Sequence, residues 1–276
     1  MAYKDIVVHS DSSDTGKHRM EIAASLAAKH DARLIGLFTE GTTYVPPMAD
    51  LAQLPAAYFE EQEEAMREES DATREIFTEI CAKSGVSNEW RSIQGLAFDV
   101  LLTSARYADL IILGQRPPGS YPLLGDYPGG LVLSAGRPVL IIPDVGRHDV
   151  IGSKVMIGWD GGAPATRAVH DAIPLMRDAD LVDVIAINPD TTGHHGQEPG
   201  ADIGRHLAGH GLNVEAESMT LNNIGVADML LSRAADKSID LFVMGAYGHA
   251  RWREMVLGGV TAHMLENMTM PVLMSH

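Results

Sequence analysis

One cysteine, Cys81, stands among 276 residues. That excludes an intrachain disulfide framework and any multi-cysteine zinc or iron–sulfur site. No run of about 18 consecutive apolar residues occurs, so a membrane-spanning helix is excluded. The first residues, Met1 to Asp5, lead straight into an apolar run that soon meets His9 and Asp11. They lack the long apolar region and small-residue cleavage site of a secretory signal, and the expected compartment is the cytoplasm. Basic residues are few: 21 Lys and Arg oppose 37 Asp and Glu, for a net charge of −16. Such a surface repels nucleic acid and anionic membranes, so neither is an expected partner. A small anion would have to be held by backbone N–H groups or by a few well-placed cations.

What is present is an ordinary folding composition, 45% hydrophobic and 21% charged, written out twice. Ile6-Val-Val-His-Ser-Asp11 and Val155-Met-Ile-Gly-Trp-Asp160 are both apolar runs ending in an aspartate. Ala108-Asp-Leu-Ile-Ile-Leu-Gly114 matches Ile239-Asp-Leu-Phe-Val-Met-Gly245, and Arg137-Pro-Val-Leu140 matches Met270-Pro-Val-Leu273. The offset is 149 at the start and 131 to 133 later, so the first copy carries extra residues between 40 and 90. Two domains are expected, 1–146 and 151–276, the first with a helical insertion.

Within each copy short apolar runs alternate with helical patterns. In the first, strands are expected at 4–9, 33–38, 109–113 and 138–142, and helices at 16–30, 56–84 and 97–106. In the second, strands are expected near 153–158, 181–187, 213–219, 240–244 and 271–274. Fully apolar strands alternating with helices imply a parallel sheet covered on both faces, five strands to a copy. Ligands of such sheets bind outside the carboxyl ends of the strands, at the switch point. That directs attention to Asp11 and Asp160 after the first strands, and to Gly114 and Gly245 after the fourth.

Gly245 opens the segment Gly245-x2-Gly248-x9-Gly258, which leads through Gly259, Val260 and Thr261 into a helical stretch. Glycines let a backbone approach a ligand closely, and successive N–H groups beside a helix N-terminus can hold phosphate without a lysine. A plain strand-to-helix turn explains the same spacing.

This motif, the aspartate closing the first strand, the terminal Pro271-Val-Leu and the duplication together resemble a tandem universal stress protein. The resemblance implies two Rossmann-like α/β domains of the adenine nucleotide alpha hydrolase-like type, each a five-stranded, mostly parallel sheet with helices on both faces. It implies ATP as the ligand, with Mg²⁺ held mainly by the phosphates. Carried over by position, Asp160 takes the adenosine end, flanked by the backbone of Gly158 and Trp159, and Ile187 lines the base pocket. Met244 and Gly245 lie beneath the ribose. Gly248, Gly258, Gly259, Val260 and Thr261 form the phosphate cradle. A homodimer is implied as well, although one chain already supplies both halves of a pseudo-dimer. The implied role is stress-response binding and regulation, with slow ATP hydrolysis at most, because no activated nucleophile and no general base other than Asp160 is evident.

The chain departs from that family in places. Gly259 stands where Ser or Thr is usual, and Gly162 where a serine often follows the aspartate. In the first copy Gly114 is followed by Gln115-Arg-Pro-Pro118, and Asp126 falls at the hydroxyl position. Proline offers no N–H and the aspartate repels phosphate, so this copy reads as a degenerate partner.

Other chemistries find no motif: there is no P-loop, no Gly-x-Gly-x-x-Gly after a first strand and no nucleophile elbow. His206 and His210 stand four apart on an expected helix, with His194 and His195 in a loop, and read as solvated rather than as zinc ligands. Cys81 reads as a buried structural residue, and the acidic run from Glu60 to Glu69 as a solvated helix face. Two other readings stay open at this point: a nucleotide-independent interaction module whose site is filled by side chains such as Trp159, and a metal-binding or enzymatic site using the histidines.

Overall fold

The computed structural model describes residues 2–41, 56–115, 128–187, 200–219, 225–247 and 259–276. Their strands form one ten-stranded sheet. In the N-terminal half, β1 (Asp5–His9) lies between β2 (Arg33–Glu40) and β4 (Leu110–Gly114), with β3 (Asn88–Gln94) outside β2 and β5 (Val139–Ile142) outside β4. All these pairs are parallel. The C-terminal half repeats the order: β6 (Lys154–Trp159) lies between β7 (Leu181–Ile187) and β9 (Leu241–Gly245), with β8 (Val214–Met219) and β10 (Val272–Ser275) outside them. Its pairs are parallel too.

The halves join through the one antiparallel pair, β5 with β10, where Leu140 faces Leu273. The terminal strand therefore pairs within the chain. Because the junction is antiparallel, the carboxyl ends of the two halves point to opposite edges of the sheet. Further bonds tie the halves together. The Tyr3 hydroxyl donates to the Asp171 carbonyl at 2.6 Å, and Gln115 Nε2 donates to the Leu265 carbonyl at 2.8 Å.

Helices cover both faces because strand side chains alternate. Ile6 and Val8 face one core cluster and Val7 the other. α1 (Asp14–His30) starts where Ser13 Oγ accepts the Gly16 N–H, carries Asp14 in its first turn and Lys29 and His30 in its last, and stops at Asp31, whose φ is 51°. Each charge suits the helix end it occupies. α2 (Ala56–Ser84) is the expected insertion helix; Phe77, Ile80 and Cys81 are buried and the acidic run is exposed. Burial pushes the Cys81 thiol up to about 11, so it stays protonated and unreactive. The entry to this insertion, 46–55, lies outside the described residues.

Two features were not legible beforehand. β3 reads Asn-Glu-Trp-Arg-Ser-Ile-Gln and was not located as a strand; it is the polar edge of the sheet, with no fully buried position. Polar edge strands carry little hydrophobic pattern because one side has no neighbour. The repeated aspartates Asp109 and Asp240 are clamps. Asp109 accepts the N–H groups of Lys4 and Asp5, and Asp240 those of Gly152, Ser153 and Lys154, at 2.6–3.2 Å. Each anchors the strand beside it. No helix among the described residues is long and apolar enough to cross a membrane.

Candidate functional site

Strand order reverses between β6 and β9 and, in the other half, between β1 and β4. Crevices belong at those points, beyond the carboxyl ends. In the C-terminal half Gly158 pairs with Met244 across the two strands, and Trp159 and Asp160 continue past the pairing. Trp159 is half-buried and packs on the core cluster beneath α5 (Ala163–Met176). Asp160 is exposed, and its Oδ1 accepts the Gly162 N–H at 2.8 Å. Its Oδ2 has no partner among the described residues.

Opposite, Met244 is buried, and Gly245 is where the first turn of α5 crosses the end of β9. A Cβ at residue 245 would lie 2.5 Å from the Pro164 carbonyl carbon and collide with the Ala165 nitrogen. Only glycine permits that approach, which brings the N–H groups at the start of α5 to the switch point. Beyond Gly245, Ala246 N donates to the Ser275 carbonyl at 2.9 Å, and Tyr247 turns the chain at a φ of 57°. The Tyr247 N–H donates to Thr261 Oγ1 at 3.4 Å. Thr261 is only 3% exposed, so its hydroxyl links the β9 turn to α8 (Gly259–Asn267). At the start of α8 Gly259 is exposed, and nothing lies within 4 Å of where its Cβ would be.

The N-terminal crevice is filled from inside. Arg19, 4% exposed, donates from Nε to the His9 carbonyl at 2.7 Å and from Nη2 to Asp11 Oδ2. Its Nη1 lies against Gly114, where any Cβ would collide with it. Asp11 Oδ1 accepts the Ser13 N–H at 3.0 Å and the Ser13 hydroxyl. Burial would raise the Asp11 carboxyl, but Arg19 and the Ser13 bonds outweigh it and hold the group below the usual carboxylate range. Burial, reinforced by Arg19, pushes the His9 imidazole down to about 4 against the pull of Asp11. Asp144, beside this cluster, is raised by burial, with Arg19 opposing.

Of the residues singled out from sequence, Gly158, Trp159, Asp160, Met244 and Gly245 lie along one switch point. Ile187 ends β7, one strand away, paired with Met219. Gly259, Val260 and Thr261 begin α8. Gly248 and Gly258 lie outside the described residues, as do Arg116–Asp126, His194 and His195. Arg19 was not foreseen. The one available signal was a charged residue set beside Met20 on a helix face that also carries Ala23 and Ala27. A separate cleft of about 350 Å³ opens at α1 and the segment joining the halves, lined by Lys17, His18 and Arg147 with Asp14, Glu21 and Asp144.

Residues 2–143 and 153–276 each match the family model described as Universal stress protein family. Universal stress protein Slr1230 of Synechocystis sp. is 29% identical over 174 residues, covering 60% of this chain and 57% of that protein. The match thus spans little more than half of that relative. A solved universal stress protein from Archaeoglobus fulgidus has a TM-score of 0.74 at 16% identity, covering 98% of this chain and 95% of its own. A functionally unknown protein from Pseudomonas aeruginosa PAO1 has a TM-score of 0.58 at 17% identity, covering 99% and 92%. At such identities these likenesses speak for the fold.

Proposed function

The chain belongs to the universal stress protein family, and from that premise we propose that its C-terminal half binds an adenine nucleotide, ATP, as a regulatory ligand. The observation that carries this reading is the contrast between the two closing aspartates. Asp11 is saturated by Arg19 and Ser13, whereas Asp160 keeps an exposed carboxylate oxygen beside the crevice. A ribose or adenine donor could satisfy that oxygen, with Gly158 and Trp159 offering backbone contacts and Ile187 the base side. Met244 and Gly245 would floor the sugar.

The phosphates would meet N–H groups at the exposed start of α8, from Gly259 to Thr261, together with Gly248 and Gly258. Residue 261 would contribute through its backbone, since its hydroxyl already accepts from Tyr247. Mg²⁺ would be carried by the phosphates. No activated nucleophile accompanies Asp160 among the described residues, which favours binding over turnover. A homodimer would use a surface other than the β5–β10 seam, which is paired within the chain.

Mass spectrometry of the purified, denatured protein tests the reading. A co-purified adenine nucleotide, together with a melting temperature raised by millimolar Mg-ATP and not raised in Asp160→Ala, is the expected result. No nucleotide and no shift would overturn it.

A further inference from the structure

The histidine pattern in the sequence points to His206 and His210, but the fold adds a residue from another helix. His170 lies on α5 and His206 on α6 (Ala201–Gly209), and their Nε2 atoms are 3.2 Å apart. Both side chains are exposed. The helices are fixed from below, where Val169 and Ala172 of α5 share a core cluster with Ile203 and Leu207 of α6.

The proton positions follow from the partners. His170 Nδ1 is 2.7 Å from the Thr166 carbonyl oxygen, which can only accept. Nδ1 therefore carries the proton, and in the neutral ring Nε2 is a bare lone pair. That lone pair is aimed at His206 Nε2. A ring nitrogen available as a ligand, with the other N–H anchored on a main-chain carbonyl, is the arrangement of metal-binding histidines.

The distance fits as well. Two metal–nitrogen bonds of about 2.0–2.1 Å spanning 3.2 Å enclose an angle of roughly 100°, between the octahedral and tetrahedral values. We propose that His170 and His206 form a two-imidazole site for a divalent transition-metal ion, Cu²⁺, Ni²⁺ or Zn²⁺, with water completing the shell. Imidazole favours these ions over Mg²⁺ or Ca²⁺. Among the described residues no group of three or more metal-ligating side chains is assembled, so these residues supply two ligands. On binding, the proton that His206 shares through Nε2 moves to its Nδ1, and both rings stay neutral. The net charge of −16 draws cations to the surface generally, while the pair of lone pairs selects among them.

Titration of the metal-free, untagged full chain with CuCl₂ tests this, alongside His170→Gln, His206→Gln and, as control, His263→Gln. All of these positions are surface ones, and unchanged melting temperatures without metal would show that each variant folds. The expected result is a site of one ion per chain, weakened at least tenfold in each of the first two variants and unchanged in the third. Electron paramagnetic resonance of the one-equivalent complex should show coupling to two nitrogens, reduced in either variant. Equal affinity of His206→Gln and the parent, or a spectrum unaltered by both substitutions, would overturn the proposal.

Discussion

Arg19 and Asp11 are joined inside the N-terminal half, guanidinium to carboxylate, and the matching positions 149 residues later are Ala168 and Asp160. One substitution of alanine for arginine thus separates a crevice closed by its own side chain from one whose aspartate remains exposed. Arg19 is 4% exposed and Asp11 35%, so the pair is enclosed on the arginine side only.

Arg19→Ala is therefore expected to destabilise the chain by about 2 kcal/mol, below the full cost of breaking a buried ion pair because Asp11 is partly solvated. Urea denaturation checks this. A loss under about 0.5 kcal/mol would mean the guanidinium is not a structural plug.

Gly245 and Gly259 should behave oppositely when replaced by alanine. At 245 the new Cβ meets the backbone of Pro164 and Ala165, which cannot rotate away; the expected cost is about 2–3 kcal/mol. At 259 it meets nothing within 4 Å and replaces a glycine in a helix, so the change should be neutral or stabilising by up to about 1 kcal/mol. Thermal melts of the two variants side by side decide it.

Gly259→Ser should strengthen Mg-ATP binding by about tenfold to a hundredfold by adding a hydroxyl where α8 begins, the gain expected of one hydrogen bond to a charged group. Calorimetric titration measures it. Unchanged affinity, in a protein that does bind ATP, would place the phosphates away from the α8 N-terminus.

Acid should act through His9. Its folded value of about 4 lies below the ordinary 6.5, so the unfolded chain takes up the proton first. Stability from this group is intact above about pH 6.5 and is lost progressively as pH falls toward 4, by up to about 3 kcal/mol. In His9→Gln the fall in urea midpoint between pH 7 and pH 4.5 should be smaller than in the parent. Identical slopes would contradict the assignment.

Apolar runs such as Ile6-Val-Val8 and Leu241-Phe-Val243 announce buried parallel strands in the sequence itself, because both of their faces must leave water. The duplication announces two like halves, and the spacing of Phe77, Ile80 and Cys81 the inner face of α2. β3 does not announce itself, since an edge strand with polar residues has no such requirement. Position in the chain likewise marks Asp11 and Asp160 as equivalents and treats Asp109 and Asp240 as one more matched pair.

Local pattern determined where the apolar strands form, that the unit is repeated, and which loops follow the carboxyl ends. Only tertiary structure decided that β5 meets β10 in antiparallel fashion, that Arg19 reaches across to Asp11 and Gly114, and that His170 stands beside His206. Periodicity records which residues must avoid water, a property of each segment alone. Pairing between segments depends on distances that exist only after the chain has closed on itself.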